Sequence, residues 1–287
     1  MHGLLRVTLR VPGTGAHAYP FDVPAVRAAS ALAFPTPVTF FVGENGSGKS
    51  TLLEGIAAKV GLPAIGTAST SEDGTLSHAR RLASVMRAAW GSRGRTRRGF
   101  FLRSEDFFGF TRSLQRQQEA FQREAIDVDE AYRDRSDLAR ALRLGPIHRS
   151  LAGIRQRYGD DVDGKSHGET FLGVLQARGV PDGLHLLDEP EAGLSPTSQL
   201  ALLQLIGTLV AQGAQFIVAT HSPILLACPG ATILTFDECP PRAIEFGRTE
   251  HVRLTRDFLT APERYLRHLS ADDPTPRRTT AAGARRR

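Results

Sequence analysis

Lysine is nearly missing from this 287-residue chain. Of 36 basic residues, three are lysines (Lys49, Lys59 and Lys165) and the rest are arginines. An arginine preference of this breadth reflects genome composition rather than a site. It does make each lysine a residue to account for. Cysteine is scarce as well. Cys228 and Cys239 form neither a metal-ligand spacing nor a disulfide framework, which sets aside a disulfide-stapled fold and a cysteine-built zinc site. Long apolar runs are absent. The longest mostly apolar stretch, residues 200–219, is interrupted by Gln204, Gln212, Gly213 and Gln215, so no membrane-spanning helix is expected. The N-terminal MHGLLRVTLRVPG lacks the apolar segment and cleavage site of a signal peptide, and a cytoplasmic protein is expected.

The hydrophobic fraction is 41%, enough for a sizeable core in one large domain or two small ones. Net charge is +6, and part of the excess lies in Arg277, Arg278, Arg285, Arg286 and Arg287. Residues 271–287 are expected to form a disordered basic tail, a solvated end or an anion-binding one.

Along the chain, LLRVTLRV (4–11) alternates and predicts a strand. PVTFFV (37–42) is β-rich, GENGSGKST follows at once, and TLLEGIAAKV (51–60) has helical spacing. Residues 64–75 read as a loop. From 76 to 158 arginine, glutamine and charged residues dominate, and 113–144 predicts one or two amphipathic helices. Residues 159–168 form a glycine- and aspartate-rich turn, and 169–179 a helix ending at Gly179. GLHLLDEP (183–190) predicts a buried strand, 195–213 a helix with a Ser-Pro entry, and AQFIVATHSP (214–223) another buried strand. Residues 231–237 and 242–247 suggest a closing hairpin, and 262–269 a short last helix. Alternating helices and near-continuous apolar strands argue for an α/β fold with a mostly parallel sheet covered on both faces.

GENGSGKS (43–50) fits G-x-x-x-x-G-K-[ST] with the required strand before it and helix after it. Glycines let the backbone fold into a nest of inward N–H groups, and the helix N-terminus adds a positive dipole. Gly43, Glu44, Asn45, Gly46, Ser47, Gly48, Lys49, Ser50 and Thr51 are the candidate nucleotide-binding residues. Lys49 supplies a compact ammonium to the β- and γ-phosphates where an arginine is too broad. The Ser50 hydroxyl is a candidate Mg²⁺ ligand. LHLLDEP (184–190) brings Asp188 to a strand's carboxyl end, where such folds bind ligands. Asp188 is a second candidate metal ligand, and Glu189 is placed to orient or deprotonate an attacking water. QFIVATHSP (215–223) delivers His221 from another strand end as a γ-phosphate contact.

P-loop, Asp-Glu strand, EAGLSP and Thr-His-Ser-Pro resemble, in that order, the ABC-type ATPase class. The pieces are similar to Walker A (43–50), Walker B (184–189), the D-loop (191–195) and the H-switch (His221). The set also resembles small membrane-free bacterial ABC-like or AAA-family ATPases, distant relatives of SMC and RecF proteins. The resemblance covers residues 1–270. It implies a P-loop NTPase fold of ABC type with N-terminal antiparallel strands and a helical subdomain at about 76–178, between Walker A and Walker B. It also implies ATP and Mg²⁺ as cofactors and an ATP-dependent homodimer. Ser166-His167-Gly168-Glu169 is similar to the class signature in opening a helix roughly twenty residues before Walker B. In the class this turn closes over ATP held by the partner chain. His167 and Glu169 depart from the usual Gly and Gln, and Glu169 serves equally as a helix-capping acid. The glutamine that contacts metal and water in the class has no match. GFFLRSEDFF (99–108) occupies its place, and Glu105 is the substitute candidate. Tyr19 and Phe21 are alternative adenine-stacking residues.

Two other uses of such a domain stay open: the ATP-binding subunit of a transporter, and an SMC/RecF-like ATPase of DNA repair or defence. Nucleic acid is a candidate partner through Arg93, Arg95, Arg97 and Arg98, against the alternative of a solvated loop. A P-loop kinase fits less well, because it needs an acceptor site and lid arginines in place of the Asp-Glu pair and His221.

Overall fold

The computed structural model describes residues 3–11, 18–65, 77–92, 94–158 and 167–267. The expected 271–287 tail, Arg93, Ser166 and most of the 64–75 loop and 159–168 turn lie outside them.

A small antiparallel sheet and a larger parallel one carry the architecture. In the small sheet β1 (Leu4–Leu9) runs between β2 (Ala31–Ala33) and β4 (Met86–Trp90), with Val7 opposite both Leu32 and Ala88. The larger sheet has the order β5 (Gly99–Arg103), β6 (Leu184–Asp188), β7 (Gln215–Ala219), β3 (Val38–Val42), β8 (Thr232–Thr235) and β9 (Arg242–Ala243). The first five are parallel, and β9 turns back antiparallel to β8 at the edge.

Strands β3, β6 and β7 are buried at every position, as continuous apolar strands covered on both faces must be. Alternation along each strand divides the core in two. Phe41, Phe101, Leu186 and Ile217 pack under α2 (Lys49–Val60) and the small sheet, with Leu52, Leu53, Ile56 and Val7. Phe40, Phe100, Leu187 and Val218 pack on the other side. There they meet α6 (His167–Arg178) through Phe171 and Val174, and α7 (Pro196–Ala211) through Leu202 and Ile206. Each such side chain stabilises by roughly 1.5–3 kcal/mol when fully buried. Buried Gln215 bonds the two sheets together. Its Oε1 accepts the Leu4 N–H at 2.9 Å, and its Nε2 donates to the Leu4 carbonyl at 2.8 Å.

The helix ends follow local chemistry. Ser195 caps α7 by accepting the Ser198 N–H, with Pro196 at the first helical position. Ser222 caps the short α8 (Pro223–Leu226) in the same way, accepting from Ile224 and Leu225. Gly61 ends α2 in the left-handed conformation.

Between Walker A and Walker B the structure departs from the expected boundaries. The helical block read at about 76–178 begins only at Ser104. Residues 77–103 instead supply α3 (Ser77–Val85), β4 and the edge strand β5, and all three join the core. The amphipathic run at 113–144 is part of two longer helices, α4 (Ser104–Ala131) and α5 (Asp137–Tyr158), packed on one another. At ~1.5 Å per residue α4 is about 42 Å long. Arg140 ties the pair by donating to Asp129 at 2.6 Å. Further elements without a sequence expectation are α1 (Pro24–Ala28), before β2, and α9 (Glu250–Thr260), which precedes α10 (Glu263–Leu266).

Candidate active site

The loop after β3 is shaped by three glycines at positive φ: Gly43 (149°), Gly46 (80°) and Gly48 (99°). Space as well as conformation requires two of them. A Cβ on Gly43 would meet Asp237 Oδ1 at 2.8 Å, and one on Gly48 would meet Val23 Cγ1 at 2.6 Å. The Lys49 side chain is buried under the loop it follows. Its ammonium donates to the carbonyls of Gly43 (2.6 Å) and Glu44 (2.9 Å). Burial lowers the Lys49 pKa, against the raising pull of Glu189, Asp188, Asp237 and Glu44. Glu44, Asn45 and Gly46 form the exposed crest of the loop. Beneath it the Ser47 hydroxyl is buried without a hydrogen-bond partner.

Strand β6 ends beside this helix start. Ser50 Oγ donates to Asp188 Oδ1 at 3.1 Å. Asp188 is buried, and burial pushes its pKa up to about 7 despite the Ser50 bond and nearby Lys49. A carboxylate held out of water beside a serine hydroxyl gains from a cation, and a serine–aspartate pair suits Mg²⁺ completed by phosphate oxygens and water. The residues therefore fit the metal expected of the motif. Among the described residues no cluster of three or more His, Cys, Asp or Glu forms an all-protein metal cage.

Glu189 comes next, at φ 49° and ψ 50°, a left-handed conformation that costs a non-glycine residue ~1–3 kcal/mol. Its N–H donates to the Ala219 carbonyl at 2.9 Å. Ser104 Oγ lies against the carbonyls of Asp188, at 3.2 Å, and of Glu189. The backbone is held on both sides while the side chain stays 45% exposed and free to reach a bound molecule.

His221 follows β7. Its Nε2 faces Glu189 Oε1 at 3.6 Å, its N–H donates to Glu191 Oε1 at 2.6 Å, and its Nδ1 is 2.8 Å from His251 Nε2 on α9. Burial, then Lys49 and His251, lower the His221 pKa, and burial raises that of Glu191.

Glu105 does not sit as a buried metal ligand. Its side chain is 74% exposed and reaches Arg103 at 3.5 Å. It lines a cleft of ≈ 230 Å³ together with Ser50, Glu54, Arg103, Ser104, Asp188 and Glu189. Deeper in that cleft Arg103 donates to Glu54 at 3.2 Å and to Asp106 at 2.6 and 2.9 Å. Glu54 is on α2 and Asp106 on α4, so Arg103 ties these two helices together. His78 completes the group at 2.5 Å from Glu54.

Of the two aromatic candidates, Phe21 is packed in the core with Arg81 over its ring at 5.6 Å. Its face is therefore taken. Tyr19 is 46% exposed, with its hydroxyl 3.3 Å from Thr51 Oγ1. In the turn expected to act as a signature, Gly168 is buried at the start of α6, where a Cβ would lie 2.9 Å from Ser198 Oγ. Glu169 is exposed there. Ser166 and the His167 side chain are outside the described residues.

Residues at the site that the sequence analysis does not single out include Asp237, His251, Ser104, Arg103, Glu54 and His78. Asp237 Oδ1 accepts the Glu44 N–H at 2.7 Å. Arg103 and Ser104 lie beside Glu105 in the 99–108 stretch, and His251 reaches the site from α9, whose chain position is remote from the motifs.

Residues 170–227 match the model of a family described as "AAA domain, putative AbiEii toxin, Type IV TA system". No curated protein sequence matches the chain. Among solved structures the chain is similar to MJ1267 in its ADP conformation, an ATP-binding cassette of an ABC transporter. Identity there is 15%, the match covers 94% of this chain and 100% of that one, and the TM-score is 0.42. It is also similar to cbiO1 from Clostridium perfringens, part of the ABC transporter complex cbiONQ, at 16% identity, 94% and 99% coverage and a TM-score of 0.40. A nucleotide-free ATP-binding cassette from an ABC transporter aligns at 17% identity, 92% and 98% coverage and a TM-score of 0.42. The strand order and the glycine loop at the end of β3 give an α/β fold with a mostly parallel sheet, and residues 170–227 within it carry the AAA-domain match.

Proposed function

We propose that the chain binds and hydrolyses Mg-ATP and works as a switch that dimerises on ATP. The observation that carries this reading is the Ser50–Asp188 hydrogen bond, which joins the P-loop helix to the acid strand with Lys49 and Glu189 on either side. In this reading Lys49 exchanges its two loop carbonyls for the β- and γ-phosphates, and the loop N–H groups cradle them. Ser50 and Asp188 hold Mg²⁺, which supplies neutralisation of charge on the phosphoryl oxygens. Glu189 orients the attacking water and takes its proton. His221 Nε2 donates to the γ-phosphate and reports its loss. Tyr19 offers an aromatic face to the base.

The exposed carboxylate of Glu189 leaves the γ-phosphate side of the site open. That side suits a second chain, whose Ser166, Gly168 and α6 N-terminus would close it. Cytoplasmic work is part of the same proposal, and among the described residues no helix is long and apolar enough to cross a membrane. The reading is tested by ATP turnover of the parent chain beside Lys49→Ala. Turnover that survives in the variant contradicts it.

A further inference from the structure

His221 is tied at three points, and one tie comes from a helix outside every motif. The Glu191 carboxylate holds its backbone N–H at 2.6 Å. Its Nε2 faces Glu189 at 3.6 Å. Its Nδ1 lies 2.8 Å from His251 Nε2, with the two rings edge to face and their centroids 4.8 Å apart. His251 is carried by α9, which Val252, 5% exposed, anchors to the core.

Two nitrogens at that distance share one proton, and its position fixes what the far side of His221 does. Neutral imidazole has one N–H. If His221 holds its proton on Nδ1, it donates to His251 and turns a bare lone pair toward the Glu189 carboxylate. If His251 donates from Nε2, His221 Nδ1 accepts and the His221 proton sits on Nε2. The second arrangement points an N–H at Glu189 and at the place where the ATP reading puts the γ-phosphate. Both are anionic, and a lone pair there would repel them. His221 is also kept toward its neutral form by burial and by Lys49. A neutral ring needs an outside group to set its tautomer and to stop it flipping about χ2.

We propose that His251 is a positioning residue for His221: by donating to Nδ1 it holds the ring in the Nε2–H form, aimed at the γ-phosphate. The role rests on the ATPase reading of the site, whereas the hydrogen bond does not. His251 touches neither phosphate nor Glu189, and it acts through His221 alone. Groups that orient metal-bound histidines are worth about ten- to a hundredfold, and an effect on that scale is expected here.

Two substitutions separate this role from simple packing. His251→Phe keeps a ring against His221 and removes the donor. His251→Gln restores an N–H at nearly the same reach. ¹⁵N spectra of the imidazoles in the full-length, nucleotide-free chain, assigned with His221→Gln, report the tautomer and whether Nδ1 accepts a bond. The parent is expected to show His221 with Nε2 protonated and Nδ1 accepting. His251→Phe is expected to lose the Nδ1 bond and about tenfold or more of kcat, with KM for ATP little changed, and His251→Gln to recover most of both. A parent with Nδ1 protonated overturns the proposal. So does parental kcat in His251→Phe, or a His251→Gln chain no better than His251→Phe. A parent that shows the Nδ1 bond but does not hydrolyse ATP overturns the ATPase reading, and the positioning role falls with it.

Discussion

Glu189 and His221 face each other across 3.6 Å, carboxylate oxygen to imidazole nitrogen, at the ends of the neighbouring strands β6 and β7. Both are anchored through their backbone N–H groups, and His221 is held through its ring as well, by His251. The Glu189 N–H donates to Ala219, and the His221 N–H donates to Glu191. The Glu189 carboxylate stays 45% exposed, while His221 keeps Nδ1 on His251 and turns Nε2 to Glu189. Such an arrangement stabilises no fold, and it suits a ligand placed between the strand ends and the P-loop.

Lys49→Ala is expected to abolish nucleotide binding. Its ammonium is already within 2.6 Å of Gly43 O and 2.9 Å of Glu44 O, under the loop that would hold the phosphates. Calorimetry with ATP checks this. An affinity equal to the parent's would mean that the loop is not a phosphate cradle.

Asp188 makes stability depend on pH. Its pKa is about 7 in the folded chain, against 3.8 as the ordinary value, and burial is the main cause. Between those limits the folded state keeps a proton that the unfolded state has lost. Stability contributed by this group therefore falls as pH rises from about 4 to about 7. Asp188→Asn cannot ionise and escapes that loss. Denaturant unfolding without nucleotide or divalent cation is expected to show the variant gaining on the parent between about pH 4 and about pH 7. A pH-independent gap would contradict the burial argument.

Much of the site was readable because its chemistry is local. Gly43 to Ser50 lie in one loop, and Asp188 and Glu189 end one apolar strand. Asp237 ends ILTFD just as Asp188 ends LHLLD, so the same signal was present and went unread. Ser104 and His251 carried no such signal. Their partners are 85 and 30 residues away in sequence, and only the packing of β5 beside β6 and of α9 against α8 brings them in. Strand β5 was hidden by its neighbours. Phe100, Phe101 and Leu102 are a short apolar run with four arginines between 93 and 98 before it and Arg103 after it, and composition outweighs pattern. The N-terminal boundary of the helical subdomain was misplaced for the same reason.

Gly99 at the start of β5 tests that strand. It has φ +119°, and a Cβ there would lie 1.9 Å from the Leu184 carbonyl oxygen. Gly99→Ala must push β5 from β6 and is expected to cost about 2 kcal/mol or more. Gly94→Ala also sits at positive φ (+74°) but has nothing within 4 Å. It is expected to cost about 1 kcal/mol. Equal losses in chemical denaturation would argue against the close β5–β6 approach.

A shared site predicts complementation. Ser166→Arg chains should fail alone because a bulky cation blocks the partner's γ-phosphate, and Lys49→Ala chains because they hold no ATP. In a mixed dimer one composite site carries both defects and the other carries neither, so turnover should partly return. A heterodimer that forms on ATP and stays inactive would count against the shared site.

Glu189→Gln tests the central assignment most directly, because it keeps the shape of the side chain and removes only its basicity. ATP affinity by calorimetry and turnover at saturating Mg-ATP are measured on the same preparation. Parental affinity is expected, with turnover slower by at least about tenfold and by as much as the ~10²–10⁴ that a general base commonly supplies. A Glu189→Gln chain that hydrolyses ATP at the parental rate would contradict it.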